Sequence, residues 1–177
     1  MADQRQQESR QPVGQGIVVG ILAGMVFLSA EIVMNSMLGT PSFRLLRMIS
    51  SVVLDKRELD PSYSFAAAVT IGLIIHVALS GLYGLIFGFV ASWSAGSLAT
   101  SSLLVYGSLF GFLLWLVNFY LIAPVAFPQF TQINQFWNGF VAHTFFYGTV
   151  LGWYLSLVRP RRLDIQESTT EKERRYG

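Results

Sequence analysis

Four side chains in this sequence stand where chemistry is the usual reason for keeping them: Glu31, His76, Asn118 and His143, each inside a long apolar run. A charged group at the centre of a membrane span costs about 3 kcal/mol on insertion scales, so polar groups at such depth are candidate functional residues. His76 and His143 are the only two histidines of the chain. Neutral imidazole is a common metal ligand, so the pair are candidate axial ligands of a b-type haem or ligands of another metal ion. Glu31 with the two histidines has the composition of a proton or ion relay, as found in pumps and transporters. The structural alternative is plain hydrogen bonding between helices, by a protonated Glu31, by the Asn118 amide, or by each imidazole.

Other chemistry is excluded by composition. The chain has no cysteine, which removes disulfides, thiolate metal sites and iron–sulfur clusters. No nucleophile triad, phosphate loop, HExxH or paired-carboxylate motif is present, so hydrolytic and phosphoryl-transfer enzymology is not expected. The formal charge of +2 comes from basic residues flanking apolar runs, which speaks of topology and not of nucleic acid.

The elements that must position these residues are membrane helices. Hydrophobic residues make up 53% of the 177, charged residues only 12%, and the mean hydropathy is +0.50. All but one of the 12 Lys and Arg and 10 Asp and Glu lie in the first ten residues, in 44–60, or after 158; the exception is Glu31. Between those charged stretches lie four apolar runs, at about 15–38, 66–91, 98–122 and 135–158, each long enough to cross roughly 30 Å of hydrocarbon. They lack the two-residue alternation of a barrel wall, so the expected fold is an all-α integral membrane protein of four transmembrane helices. The first run ends in Met34-Asn35-Ser36-Met37-Leu38 without a small-x-small cleavage pattern and reads as a retained span, not a signal peptide.

The polar segment 1–12 and the charged segment 160–177 are expected to be tails flanking a transmembrane domain at 13–159. Residues 43–54 are too short to span; with Arg44 and Arg47 on one side they read either as a helix lying in the membrane interface or as an ordinary connector. The loop from Ala123 to Gln135, with Pro124, Pro128, Phe127 and Phe130, reads as an aromatic cap.

Each run carries glycines four apart: Gly16, Gly20 and Gly24; Gly84 and Gly88; Gly107 and Gly111; Gly148 and Gly152. Such spacing puts them on one helix face and lets backbones approach, which predicts a tightly packed bundle. The same packing leaves little room for a haem between the helices. Sliding the chain by 87 residues sets Gly20, Gly24, Glu31, Pro41 and Phe43 on Gly107, Gly111, Asn118, Pro128 and Phe130. A shift of 67 sets His76 on His143 and Gly81 on Gly148. The pattern suggests two tandem copies of a two-helix unit, related by an axis along the membrane normal.

Basic residues at the span ends are Arg5, Arg10, Arg159, Arg161 and Arg162 on the side of both termini, with Lys172, Arg174 and Arg175 further out, against Arg44, Arg47, Lys56 and Arg57 opposite. The bias favours both termini in the cytoplasm, in a cell inner (plasma) membrane.

The sequence also resembles a family of short bacterial four-helix membrane proteins of unknown function, some of which carry the name "sodium:proline symporter". The matching residues are Arg47-Met48-Ile49, His76 with Leu79-Ser80 and Tyr83-Gly84, Asn118-Phe119-Tyr120, Phe127-Pro128-Gln129-Phe130, and Asn138 with His143 and Tyr147-Gly148. They cover most of the chain outside its ends, with Gln129 where the family pattern has Trp and Tyr147 where it has Phe. The resemblance brings no catalytic residues, and the symporter name belongs to proteins of more than ten spans. The expected function is that of an accessory or assembly subunit, without a catalytic site, partnered by other membrane proteins or by copies of itself within the bilayer. The alternatives are an electron-transfer protein holding haem or metal on His76 and His143, and an oligomeric proton-linked transporter or channel.

Overall fold

A peptide group carried into hydrocarbon must find its hydrogen-bond partner within its own segment, and long uncharged runs therefore coil. The computed structural model describes residues 2–54, 63–93, 99–132 and 136–158, and the side chains of 14–54, 63–92, 99–130 and 136–158. Within these the chain is all-α. Helices α1 (Ala2–Met37), α2 (Arg44–Leu54), α3 (Phe65–Trp93) and α4 (Thr100–Leu116) are followed by a π-helical turn at Val117–Ile122 and by α5 (Ala123–Ala126). A 3-10 turn at Pro128–Gln132 leads to α6 (Phe136–Val141), a second π-helical turn at Ala142–Thr149 and α7 (Val150–Val158). Four stretches are long and apolar enough to cross a membrane: Gly14–Met37, Phe65–Ser92, Thr100–Ala126 and Phe136–Val158.

Two boundaries differ from the sequence reading. The segment 1–12, expected as a tail, continues the helix from Ala2, since extending an existing helix costs far less than starting one. The third span, expected to stop at 122, runs on to Ala126. At its π turn Ala123 N–H donates to the Asn118 carbonyl, five residues back, and this change of register lets the helix pass Pro124, which has no N–H to donate. The segment 160–177 and Lys56, Arg57, Arg159, Arg161 and Arg162 lie outside the described residues.

The helices pair through glycine. A Cβ on Gly20 would fall on the Ser80 carbonyl oxygen and 2.6 Å from Gly84 Cα, and one on Gly16 would lie 3.3 Å from Gly88 Cα. On the other side of the bundle, a Cβ on Gly107 would fall on the Gly148 carbonyl oxygen and 3.0 Å from Gly152 Cα, and one on Gly111 on the His143 carbonyl oxygen. The first span thus packs backbone to backbone on the second, and the third on the fourth. Van der Waals contact at this range is what holds helices together in a solvent as apolar as their side chains. The two pairs meet over Val19, Ala23, Phe27, Phe87, Leu103, Ala142, Tyr147, Leu151 and Leu155.

Helix α2 is docked on the bundle. Leu46, Met48, Ile49, Ser50 and Ser51 are buried, and the Leu46 carbonyl lies where Gly72 of α3 would otherwise carry a side chain. Gln129 Nε2, buried, donates to Ser51 Oγ at 2.9 Å and ties α2 to the loop after the third span. The 43–54 segment is therefore a helix fixed to α3 by its own backbone, not a loose connector.

Candidate functional site

The residues singled out from sequence lie in two polar groups. The first lies at the end of α1. Glu31, 6% exposed, points into the bundle because it continues the face of Gly20, Gly24 and Phe27. Its Oε2 accepts Asn35 Nδ2 at 3.0 Å and Asn138 Nδ2 at 3.1 Å. Asn35 also donates to the Glu31 carbonyl at 2.8 Å, and its Oδ1 accepts Thr40 Oγ1 at 2.8 Å. Thr40 N–H donates back to the Asn35 carbonyl at 2.9 Å, after Gly39 has turned the chain at φ 69°, a left-handed conformation suited to glycine at a helix end. One carboxylate thereby joins the last turns of the first span to the first turn of the fourth.

The second group surrounds Phe27 at mid-depth. His76 Nε2 lies 2.9 Å from the Gly24 carbonyl, across the helix pair, and His143 Nδ1 lies 2.9 Å from the Gly139 carbonyl of its own helix. A carbonyl only accepts, so these contacts place the imidazole protons on Nε2 of His76 and Nδ1 of His143. Tyr147 OH donates to the Ser80 carbonyl at 2.8 Å, and Tyr83 OH donates to Asn118 Oδ1 at 3.1 Å. The Phe27 ring has its centroid 5.7 Å from that of His76 and 4.7 Å from that of His143, and Phe119 closes on His143 at 5.6 Å.

Of the four residues singled out from sequence, His76 and His143 are brought to one phenyl ring. Asn118 is held by Tyr83, and Glu31 belongs to the separate cluster near the helix ends. Among the described residues no hydrogen bond joins Glu31 to either histidine. Asn118 and His143 both sit on π-helical turns, while Glu31 and His76 sit on regular helix. With Phe27 against both rings, a haem plane cannot lie between the imidazoles unless that side chain moves. The detergent-purified protein is expected to show no Soret band; a band lost on His76→Ala or His143→Ala would overturn this and make the pair haem ligands.

Sequence reasoning missed Asn35 as a partner of Glu31, although the spacing of four was visible. It also missed Asn138 as a site residue. Compared with known proteins, the chain matches no family model, no curated protein and no solved structure.

Proposed function

We propose that the protein is a non-catalytic accessory or assembly subunit of a membrane complex, docking through its third span. The observation that carries this is the unequal burial of the four spans: 17% of the third is covered within the chain, against 33–39% of the other three. Its uncovered side is a ridge of residues four apart, Val105, Leu109, Leu113, Val117 and Leu121, flanked by Tyr106 and Tyr120, all between 40% and 66% exposed. Rows at that spacing are what one helix inserts into the groove of another. Meanwhile the interior is occupied by glycine seams and by polar side chains that largely satisfy one another, which suits a packing role better than turnover.

The test is site-specific photo-crosslinking in native membranes. A crosslinker at Leu109 or Leu113 is expected to give a discrete protein adduct, either a partner subunit or a second copy. One at Ile74 or Leu82 of the second span is expected to give none. Lipid adducts alone at all four positions would refute the docking role.

Two tandem two-helix units are part of the same proposal. Gly20 meets Ser80 and Gly84, while Gly107 meets Gly148 and Gly152, so the glycine seams correspond at shifts of 87 and 68. The histidines correspond at 67. A π-helical turn at Ala142–Thr149 accommodates one extra residue between those two registers. Membership of the resembled bacterial four-helix family, and an inner-membrane location with both termini cytoplasmic, complete the reading.

A further inference from the structure

A groove of about 550 Å³ opens between the end of the first span and the start of the fourth. Its walls are Met34, Met37, Leu38, Phe136, Trp137 and Val141, and among the described residues its one polar residue is Asn138. The volume lies within the range of small-molecule sites, roughly 300–1,000 Å³. Met37, Leu38 and Trp137 are 82%, 58% and 72% exposed, so the groove faces outward at the level where the spans end. That is the depth of lipid head groups and the first carbons of their chains, where tryptophan is enriched.

The polar end of the groove is short of donors. Asn138 spends Nδ2 on the Glu31 carboxylate, which fixes the amide so that Oδ1 is its acceptor. Among the described residues no donor reaches that oxygen, and none reaches Glu31 Oε1; by contrast the Asn35 Oδ1 is filled by Thr40. A ligand for this place therefore has an apolar tail for the walls and a head that donates hydrogen bonds toward acceptors backed by a carboxylate.

We propose that the groove binds a phospholipid whose head carries a primary ammonium, with an acyl chain against Met34, Met37 and Val141. The ammonium donates to Asn138 Oδ1 in front of Glu31, and the Trp137 indole N–H faces the phosphate or ester oxygens. An ammonium satisfies both requirements at once, positive charge and N–H donors. A quaternary choline head has the charge but no N–H, and a glycerol head has donors but brings no positive charge.

Native mass spectrometry of the full chain, released from vesicles of equal phosphatidylethanolamine, phosphatidylcholine and phosphatidylglycerol, tests this. The ethanolamine lipid is expected to be retained roughly tenfold over the choline lipid, the effect of one charge-assisted hydrogen bond. Asn138→Leu is expected to abolish that preference. Leu38→Trp, which fills the groove without touching the Glu31–Asn138 bond, is expected to reduce retention of every lipid. Equal retention of ethanolamine and choline lipids by the parent protein would overturn the proposal, as would equal or greater retention of the glycerol lipid. An unchanged lipid profile in the folded Leu38→Trp protein would overturn it too.

Discussion

Gly84→Ala is expected to destabilise the bundle by about 3 kcal/mol, whereas Gly81→Ala, on the same helix, should stay within about 1 kcal/mol of the parent. The two substitutions add the same methyl group. At Gly84 it would fall on the Gly16 carbonyl oxygen and come within 2.5 Å of Gly20 Cα, both backbone atoms of the facing helix. Backbone cannot rotate away, so the helices must separate along the whole seam and lose dispersion contacts that nothing in lipid replaces. At Gly81 the nearest atoms are side-chain carbons of Ile17 and Ile21 at 3.4–3.7 Å, an ordinary contact. Removing a helical glycine also favours alanine by up to about 1 kcal/mol, which at Gly81 is not opposed. Reversible unfolding in mixed micelles, followed by tryptophan fluorescence, should separate the two by about two decades in equilibrium constant. Coincident transitions would mean that the glycine seam is not what holds α1 to α3.

The same seam shows what the sequence could reveal and what it could not. Apolar length alone placed the spans, because the cost of bare peptide groups in lipid leaves the chain no alternative to helix. The sequence places the end of the third span at about 122, with Pro124 in the loop beyond it, yet the helix passes Pro124, since a π turn has no local spacing signature and shifts the hydrogen-bond register just before it. A shift of 67 sets His76 on His143 in the sequence and both rings reach Phe27, but their hydrogen bonds differ: one imidazole crosses to Gly24, the other folds back on Gly139. Glu31 was conspicuous as an isolated charge, but its partner Asn138 lies 107 residues away. That contact arises only when the two helix pairs dock, and nothing in the periodicity of either run reports the docking.

That docking contact can be weighed by replacing its two ends separately and together. Glu31→Leu removes the acceptor that Asn138 Nδ2 uses across the pair boundary, while Asn35 keeps its bond to the Glu31 carbonyl. Asn138→Leu removes a donor and leaves the carboxylate with Asn35 alone. Either change leaves a part-buried polar group without its partner, at a cost of about 1–3 kcal/mol. Interhelical hydrogen bonds measured in membranes fall at or below the bottom of that range, averaging about 0.6 and reaching about 1.7 kcal/mol, because the unfolded chain also finds partners in the bilayer. Each single variant is therefore expected to lose about 1–1.5 kcal/mol. The double variant should lose no more than either alone, since two leucines in apolar surroundings leave nothing unpaired. Glu31→Gln, whose side-chain carbonyl can still accept from both amides, should stay within about 1 kcal/mol of the parent. The coupling energy from this cycle, read by the same micellar unfolding, is expected to be at least about 1 kcal/mol. Strictly additive single and double effects would show that Glu31 and Asn138 act independently, and the first and fourth spans would then be held at that end by Met34 and its apolar neighbours alone.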